Sequence, residues 1–422
     1  MNFEGIKALV VGMEKSGRAV FEFLHARGAD VIPADLNPHD LDDFRLQTDE
    51  LFDEHWDLIV PSPGVPLDLP GITRAIQRGV KVIGEVELAA PYLLGRTIGI
   101  TGSNGKTTTT SLIGHILQSA GTPVQVGGNI GTPVIAMTET SREGQWNVLE
   151  LSSFQLETIR TFRAYVGICL NVTQNHLDRH HTFENYAAAK GNLFRTQKPG
   201  DYAVLNQDDA VCRSFAAITR ATPVWFSGRN IAELMPPAEV PIPGPHNAEN
   251  VMAAAAAAGI AGVSKHEIVA AVKTFKAVEH RLEFAAEVNG VRFYNDSKAT
   301  SVDATMKAID SFPGGLWVIL GGKDKGSDYR VLRDRLQQKA RAALLIGAAA
   351  EKIASHLDGA VPVVQSGTLE CAVAAAWRNA QAGDIVLLAP ACASFDQFQS
   401  YEHRGRVFKD LVNGLRKDGA KA

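Results

Sequence analysis

Cysteine is scarce in this sequence and no two cysteines form a motif. The 422 residues include four, Cys169, Cys212, Cys371 and Cys392, which lie far apart and give no C-x-x-C pair. The pattern excludes a disulfide-dense secreted scaffold and a cysteine-rich zinc module. It predicts a protein of the reduced, cytoplasmic compartment.

Long apolar runs and an excess of one charge are missing as well. The longest uncharged stretch, 251–264, is mostly alanine and too short to span a bilayer, so we expect a buried helix. The chain runs from Met1 straight into a strand pattern, which predicts no signal peptide. The formal net charge is −4, which favours neither nucleic acid nor an anionic membrane as a partner. Because 422 residues exceed one ordinary core, we expect two or three domains.

The most informative motif is Gly102-Ser103-Asn104-Gly105-Lys106-Thr107. It follows a short apolar run, 97–101, and precedes a helical pattern, 108–120. Glycines between a strand and a helix let several backbone N–H groups point at one anion. Lys106 is expected to neutralise the terminal phosphates of a nucleotide, and the Thr107 hydroxyl to ligate Mg²⁺. The alternative is an ordinary glycine-rich turn.

The first 93 residues alternate strand and helix patterns, which predicts a parallel, Rossmann-like sheet. The strand patterns are 6–11, 30–34, 57–60 and 80–83, with a helix at 16–27. The first turn has Glu14 where a dinucleotide fingerprint needs glycine, which argues against a nicotinamide oxidoreductase. Asp35, at the end of the second strand, is either a nucleotide contact or a helix cap.

Two further segments continue the α/β pattern. Residues 94–277 are predicted as a central P-loop domain, with buried strands at 147–151 and 164–171, and residues 278–422 as a third domain, with strands at 316–320, 343–346 and 385–388. The carboxyl ends of parallel strands gather ligands. We therefore expect Glu150, Ser152, Asn171 and His176 to lie near the phosphate loop.

Taken together, these motifs resemble the Mur ligase family, ATP-dependent amide-forming enzymes that build the peptide stem of the bacterial cell wall. The resemblance covers nearly the whole chain and rests on the order of seven segments: 101–109, 150–157, 171–178, the Lys190 region, 246–250, 279–283 and 295–300. It implies three α/β domains: 1–93 for a UDP-sugar, 94–277 for ATP and 278–422 for an amino acid. It also implies a cytoplasmic monomer that uses UDP-N-acetylmuramoyl-L-alanine, D-glutamate and ATP, with two Mg²⁺ sites.

The resemblance implies catalytic roles for Lys106, Glu150, His176, Lys190 and Arg281. Thr107 and Glu150 are expected to hold one Mg²⁺, and His176 with a carbamylated Lys190 a second. From the residues alone, Lys190 is a solvent-exposed helix lysine, and His180 and His181 are solvated. The family usually has Asp at Asn175, so the second site is expected to be weaker.

The remaining contacts implied by the resemblance fall into three groups. The ATP contacts are Gly102, Ser103, Asn104, Gly105, Lys106, Thr107, Thr108, Asn247, Asn250, Arg281 and Asp296. The UDP-sugar contacts are Lys15, Ser16, Asp35, Asn37, Asn129 and Ser152. The amino-acid contacts are Lys298, Thr300, Lys325, Ser394, Phe395 and Tyr401.

Several other interpretations stay open. A sister ligase or a folylpolyglutamate-type ligase would share the chemistry and take a different acceptor. A P-loop ATPase acting as a switch would need only the phosphate loop. The string from Asn175 to His181 alone is also typical of a mononuclear metallohydrolase, because histidines prefer zinc or iron to magnesium.

Overall fold

The computed structural model describes residues 3–419, and of 416–419 only the backbone. The chain forms two compact units, Met1–Pro236 with Glu249–Val272, and Pro237–Ala248 with Lys273–Ala422. Within the described residues the first unit holds two sheets and the second holds one. Each predicted segment thus has its own sheet, and the three-domain α/β fold is confirmed. The boundaries after residues 93 and 277 remain predictions.

The first sheet is parallel, with the order β3-β2-β1-β4-β5. Its strands are β1 (Lys7–Val11), β2 (Asp30–Asp35), β3 (Arg45–Leu46), β4 (Leu58–Pro61) and β5 (Lys81–Val82), and its helices are α1 (Lys15–His25), α2 (Pro70–Gln77) and α3 (Glu85–Ala89). The four predicted strands are present. The two-residue β3 is too short to leave a periodic pattern in the sequence.

The second sheet is also parallel, with the order β11-β10-β9-β6-β8-β7. Its strands are β6 (Arg96–Thr101), β7 (Val124–Gly128), β8 (Trp146–Glu150), β9 (Val166–Cys169), β10 (Tyr202–Asn206) and β11 (Thr222–Phe226). The helices are α4 (Lys106–Ser119), α5 (Val134–Met137), α6 (Ser153–Glu157), α7 (Leu177–His180), α8 (Phe183–Arg195), α9 (Ala210–Ser214), α10 (Ile231–Leu234), α11 (Pro245–Ile260) and α12 (Lys265–Thr274). The central strands β8 and β9 are buried along their whole length and β6 after its first residue, as expected for a parallel sheet that is covered on both faces.

The alanine-rich stretch is helical, as predicted, but with different ends. Helix α11 begins at Pro245 and ends at Ile260, whereas the pattern predicted 251–264. A proline at the first helical position lacks only an N–H that would have had no helical partner, so the helix starts early. The predicted ATP contacts Asn247 and Asn250 therefore lie on its first turns. No helix within residues 3–419 combines the length and apolar character needed to cross a membrane.

The third sheet is mixed, with the order β12-β13-β17-β14-β15-β16. Its strands are β12 (Glu283–Val288), β13 (Val291–Asn295), β14 (Leu316–Gly321), β15 (Ala340–Ile346), β16 (Val363–Gly367) and β17 (Ile385–Leu388). The helices are α13 (Val302–Asp310), α14 (Arg333–Lys339), α15 (Ala350–Leu357), α16 (Leu369–Asn379) and α17 (Tyr401–Gly419). The predicted strands are β14, β15 and β17, all central and buried. Among the strand pairs of this sheet within the described residues, the edge hairpin β12–β13 is antiparallel and the other four are parallel.

The buried carboxylate of Glu87 connects helix α3 to the segment between α6 and β9. Glu87 of α3 accepts hydrogen bonds from the backbone N–H groups of Arg160, Thr161 and Phe162 at 2.7 to 3.0 Å. Burial raises the pKa of Glu87, but these hydrogen bonds outweigh it and the pKa is lowered. The carboxylate therefore stays ionised and holds α3 against the segment 160–162.

Candidate active site

The loop between β6 and α4 has the backbone geometry of an anion-binding turn. Gly102 and Gly105 adopt φ of 148° and 83°, which side chains with a Cβ rarely do. A Cβ on Gly105 would also overlap the side chain of Asn250. Helix α4 begins at Lys106, two residues before the predicted start, and its first turn has N–H groups without helical partners. Those groups and the helix dipole favour an anion at the loop.

Side chains around the loop hold it in shape. Lys106 Nζ donates to the carbonyl oxygens of Gly102 at 2.8 Å and Ser103 at 3.1 Å, so its ammonium lies over the loop. The Asn104 N–H donates to Asn171 Oδ1 at 2.9 Å, which ties the loop to the end of β9. The predicted convergence of Asn171 on the phosphate loop is confirmed.

The carboxylate of Glu150, at the end of β8, is buried beside the loop. Thr107 Oγ1 donates to Glu150 Oε2 at 2.8 Å, and Asn129 Nδ2 donates to Glu150 Oε1 at 2.8 Å. Hydroxyl and carboxylate oxygens are the ligands that Mg²⁺ prefers, so this donor set fits the first implied metal. Thr108 is half-buried on the same helix turn.

The histidines after β9 have separate environments. His180 is buried between Ser153 Oγ at 2.9 Å and Glu157 Oε1 at 3.1 Å, and burial lowers its pKa to about 4. The expectation that His180 is solvated was wrong, whereas His181 is exposed and contacts Asp68. Across the described residues the three imidazoles of this string form no three-ligand metal cluster.

His176 and Lys190 are the predicted ligands of the second metal. Burial lowers the pKa of His176, so its imidazole is neutral at neutral pH. Lys190 is only 1% exposed, and the expectation of a solvent-exposed helix lysine was wrong. Its Nζ donates to the Gly102 carbonyl at 2.9 Å, and burial, followed by the charge of Lys106, lowers its pKa to about 7. A lysine with that pKa is about half neutral at pH 7.

A cavity of about 440 Å³ opens at the carboxyl ends of β1 and β2. The predicted UDP-sugar contacts Lys15, Ser16, Asp35 and Asn129 line it together with Glu14. Lys15 Nζ donates to the carbonyl of Gly131, in the loop that follows Asn129. Both sheets of the first unit therefore contribute to one cavity, and Asn129 connects it to Glu150.

Asp35 and the two predicted UDP-sugar contacts that do not line the cavity, Ser152 and Asn37, make local hydrogen bonds. Asp35 accepts hydrogen bonds from the N–H groups of Met13 at 2.6 Å and Asn37 at 2.9 Å, so it shapes the first turn and caps no helix. Ser152 caps α6 in a capping box with Gln155. Asn37 is exposed, and its own contact is that backbone hydrogen bond to Asp35. Their sugar-binding roles remain predictions.

The turn below this cavity depends on Gly17. A Cβ at Gly17 would overlap the carbonyl oxygen of Gly12. We expect Gly17→Ala to lower the free energy of unfolding by about 1–3 kcal/mol, because overpacking displaces backbone. Urea denaturation with Gly64→Ala as control measures this, since an added Cβ at Gly64 meets no atom within 4 Å. Equal midpoints for the two variants would contradict the steric argument.

In the second unit, Arg281 lies on a turn with two residues of positive φ. His280 and Leu282, on either side of it, have φ of 65° and 44°. The Leu282 N–H donates to Asp296 Oδ1 at 3.2 Å, and burial raises the pKa of Asp296 to about 7. Strained backbone and a buried carboxyl with a shifted pKa are typical of functional sites. Asn247 also belongs to this unit, and its Nδ2 donates to the Pro243 carbonyl at 2.6 Å.

The predicted amino-acid contacts also lie in the second unit. Lys298 Nζ lies 3.9 Å from the centre of the Tyr401 ring, and the Lys298 N–H donates to the His280 carbonyl at 3.1 Å. Ser394 is buried and Thr300 is half-buried. Lys325 is exposed, and so is Phe395, at 68%. Backbone hydrogen bonds between Lys323 and Ala393 bring the Lys325 loop beside Ser394. The structure thus brings Arg281, Asp296, Lys298 and Tyr401 together around one turn.

Sequence reasoning missed two polar residues at these sites. The Tyr186 hydroxyl lies 3.0 Å from Ser103 Oγ of the phosphate loop. Tyr186 lies four residues before Lys190 on α8, so the two share one helix face, and this spacing could have indicated that Tyr186 lies near the loop. Arg404 is fully buried and donates to Ser297 and to the Cys392 carbonyl. Nothing local in the sequence distinguishes it from a surface arginine.

Comparisons with known proteins agree along the whole chain. Residues 6–84 match the Mur ligase MurD-like N-terminal domain, 100–234 the Mur ligase middle domain, and 280–392 the Mur ligase glutamate ligase domain. The chain is 64% identical to a UDP-N-acetylmuramoylalanine–D-glutamate ligase of Solibacter usitatus, over 98% of this chain and 99% of that one. It is 50% identical to a ligase of the same name from Acidobacterium capsulatum, over 100% and 99%.

Solved structures show the same fold at low sequence identity. UDP-N-acetylmuramate–alanine ligase of Thermotoga maritima superposes with a TM-score of 0.60 at 16% identity, over 97% of this chain and 99% of that one. MurF of Acinetobacter baumannii superposes with a TM-score of 0.59 at 18% identity, over 98% and 91%. With full-length relatives at 64% and 50% identity and all three domains matched, the chain belongs to the Mur ligase family.

Proposed function

We propose that this protein forms the amide between UDP-N-acetylmuramoyl-L-alanine and D-glutamate at the expense of ATP, in cytoplasmic peptidoglycan precursor synthesis. One observation supports it most: a continuous chain of hydrogen bonds runs from Thr107 through Glu150 to Asn129. Thr107 belongs to the phosphate loop, and Asn129 lines the cavity proposed for the UDP-sugar. A reaction between that substrate's carboxylate and ATP requires such adjacency.

In the first step, a carboxylate oxygen of the UDP-sugar attacks the γ-phosphorus of ATP, giving an acyl phosphate and ADP. Two anions approach each other, so their repulsion has to be offset. Lys106 and the N–H groups of the loop and of α4 do this on the ATP side. Thr107 Oγ1 and Glu150 would hold Mg²⁺, which would supply further positive charge beside the phosphates. Arg281 contacts phosphate as well, since a guanidinium can pair with two of its oxygens.

In the second step, the amine of D-glutamate attacks the acyl carbon, the C–O bond to phosphate breaks, and the nitrogen loses a proton. The two carboxylates of D-glutamate are held by Lys298, Lys325 and the hydroxyls of Thr300 and Ser394, with Phe395 and Tyr401 against its carbon chain. Asn247, Asn250 and Asp296 contact the nucleoside of ATP. Lys15, Ser16, Asp35, Asn37 and Ser152 contact the UDP-sugar.

A second Mg²⁺ belongs to this proposal only if Lys190 is modified. As they stand, an imidazole and an amine are poor ligands for Mg²⁺. Reaction of the neutral Lys190 amine with CO₂ would give a carbamate and release a proton, and so supply a carboxylate beside His176.

We also propose that the protein acts as a monomer.

The dependence of ATP turnover on substrates tests the proposed function. A ligase releases phosphate only when the UDP-sugar and the amino acid are both present, because each completes one of the two steps. Release should therefore be measured with each omitted in turn, at saturating ATP and Mg²⁺. Turnover in the absence of both would instead identify an ATPase switch.

A further inference from the structure

Helix α17 presents one stripe of residues to the turn that carries Arg281. Tyr401, Gly405 and Lys409 are spaced by four, so they lie on one face of the helix. The Tyr401 ring packs edge-on against the His280 imidazole, with centroids 6.1 Å apart. A Cβ on Gly405 would overlap that same imidazole, so only glycine permits this approach.

Lys409 is the cation of a small charged cluster at the base of the turn. Its Nζ donates to Glu279 Oε1 at 2.5 Å and to Glu283 Oε1 at 3.0 Å. These two carboxylates and His280 are spaced closely enough to hold a metal ion, but the Lys409 ammonium already lies against both. The cluster is therefore an ion-paired clamp across the two ends of the turn.

The clamp continues into the interior through Glu283 and Asn295. Glu283 Oε2 accepts from the His280 N–H at 2.9 Å and from Asn295 Nδ2 at 3.0 Å. Asn295 Nδ2 also lies 2.9 Å from His280 Nδ1, which places the imidazole proton on Nε2. Within the described residues, that Nε2 is buried without a hydrogen-bond partner. The imidazole is thus held by packing and by Asn295, and its position depends on α17.

A turn with two residues of positive φ persists only where its surroundings over-determine it. We propose that Gly405 and Lys409 are positioning residues for Arg281: they hold the turn 280–282 in the conformation that presents the guanidinium to phosphate. The inference rests on the role given to Arg281 in the proposed function. Neither residue contacts substrate; both act through the turn.

The test combines Lys409→Met and Gly405→Ala with Arg281→Ala. We expect Lys409→Met to lower kcat/KM for ATP by about 10- to 100-fold, since a displacement of about 1 Å near a reacting group has effects of that size. The KM for the UDP-sugar should not change, and the melting temperature should fall only slightly, since a partly exposed ion pair contributes about 1 kcal/mol or less. Lys409→Arg should restore most of the activity, because it keeps the charge between the two carboxylates.

Matched controls separate positioning from general damage. Lys273→Met removes an exposed lysine paired with Glu239 in the same unit, and Gly414→Ala adds a methyl group to α17 where no atom lies within 4 Å. Both should retain activity. Gly405→Ala also introduces a steric overlap that lowers folding yield. If Gly405→Ala is not recovered, Lys409→Met alone tests the inference.

The double variant decides the matter. If Lys409 acts through Arg281, adding Lys409→Met to Arg281→Ala should change kcat/KM by less than about twofold. Multiplying effects would show an independent structural role and overturn the inference. If Lys409→Met has normal activity while Arg281→Ala is defective, the inference is overturned but the role of Arg281 is not. Normal activity in Arg281→Ala would overturn both the inference and the assigned role of Arg281.

Discussion

Replacing Lys106 by alanine is expected to lower the rate of acyl-phosphate formation by about 10²- to 10³-fold, the effect of losing one main electrostatic contact in a transition state. The Lys106 ammonium lies over the phosphate loop, within hydrogen-bond distance of the Gly102 and Ser103 carbonyls. Without it, the repulsion between the substrate carboxylate and ATP is offset less well, because only the backbone N–H groups, Arg281 and bound metal remain. Single-turnover formation of ADP measures this step directly.

Binding of the UDP-sugar should survive the same substitution. The proposed cavity is lined by Lys15, Ser16, Asp35 and Asn129, and Lys106 is not among its lining residues. Calorimetric titration of the UDP-sugar should give a Kd within about twofold of the unaltered protein. Lys198→Ala, which removes an exposed lysine of the same unit, is the control for lost charge. Full turnover in Lys106→Ala would remove the Lys106 ammonium from the mechanism.

The second large effect is expected at Lys190. Lys190→Met keeps the apolar stem but cannot form a carbamate, and we expect it to lose at least about 100-fold in kcat. Alanine is the poorer choice, because it would also leave a cavity beneath the loop and cost about 2–5 kcal/mol, as deleting a buried side chain does. The buried Nζ, 2.9 Å from the Gly102 carbonyl, is what couples this residue to the loop.

A direct signal distinguishes carbamylation from a purely structural lysine. With ¹³C-labelled bicarbonate, the unaltered protein should show a carbamate resonance that Lys190→Met lacks, and its activity should fall when CO₂ is removed. The variant should not respond to bicarbonate. A normal rate in Lys190→Met would eliminate a catalytic role for the carbamate. If Lys190→Met is slow but the unaltered protein shows no carbamate resonance, Lys190 acts only by supporting the loop at Gly102.

The phosphate loop was predictable because its determinants are adjacent in sequence. Two glycines followed by Lys106 and Thr107 define a strand-to-helix turn whatever surrounds them. Glu150 was predictable for a related reason, because it ends a buried strand, and the ends of parallel strands meet at one edge of the sheet. The same rule predicted Asp35 near a ligand, and it lines the cavity of the first sheet, whereas Lys15 was predicted through resemblance.

Burial of polar residues was not predictable in the same way. Three alanines precede Lys190 on α8 and mark neither a buried nor an exposed helix face, so the local sequence predicts a solvent-exposed lysine. His180 is predicted to be solvated, whereas Ser153 and Glu157 of another helix enclose it. These outcomes depend on tertiary contacts that local patterns do not encode.

The support of the Arg281 turn shows the same limit more strongly. Lys409 and Glu279 are separated by 130 residues, and Gly405 lies in a helix whose sequence gives no reason for a glycine. Only the packing of that helix against His280 explains it. The sequence predicted the chemistry at Arg281 through resemblance, but not what holds it in place.

The most direct test of the proposed function is phosphate release with ATP, Mg²⁺ and UDP-N-acetylmuramoyl-L-alanine across D-glutamate, L-glutamate, L-alanine, L-lysine and diaminopimelate. We expect D-glutamate to be the one amino acid of this panel that gives phosphate release. The product should have the summed mass of the UDP-sugar and D-glutamate less one water. Release with a different amino acid would keep the acyl-phosphate mechanism and contradict the proposed substrate. No release with any of them would contradict the ligase itself.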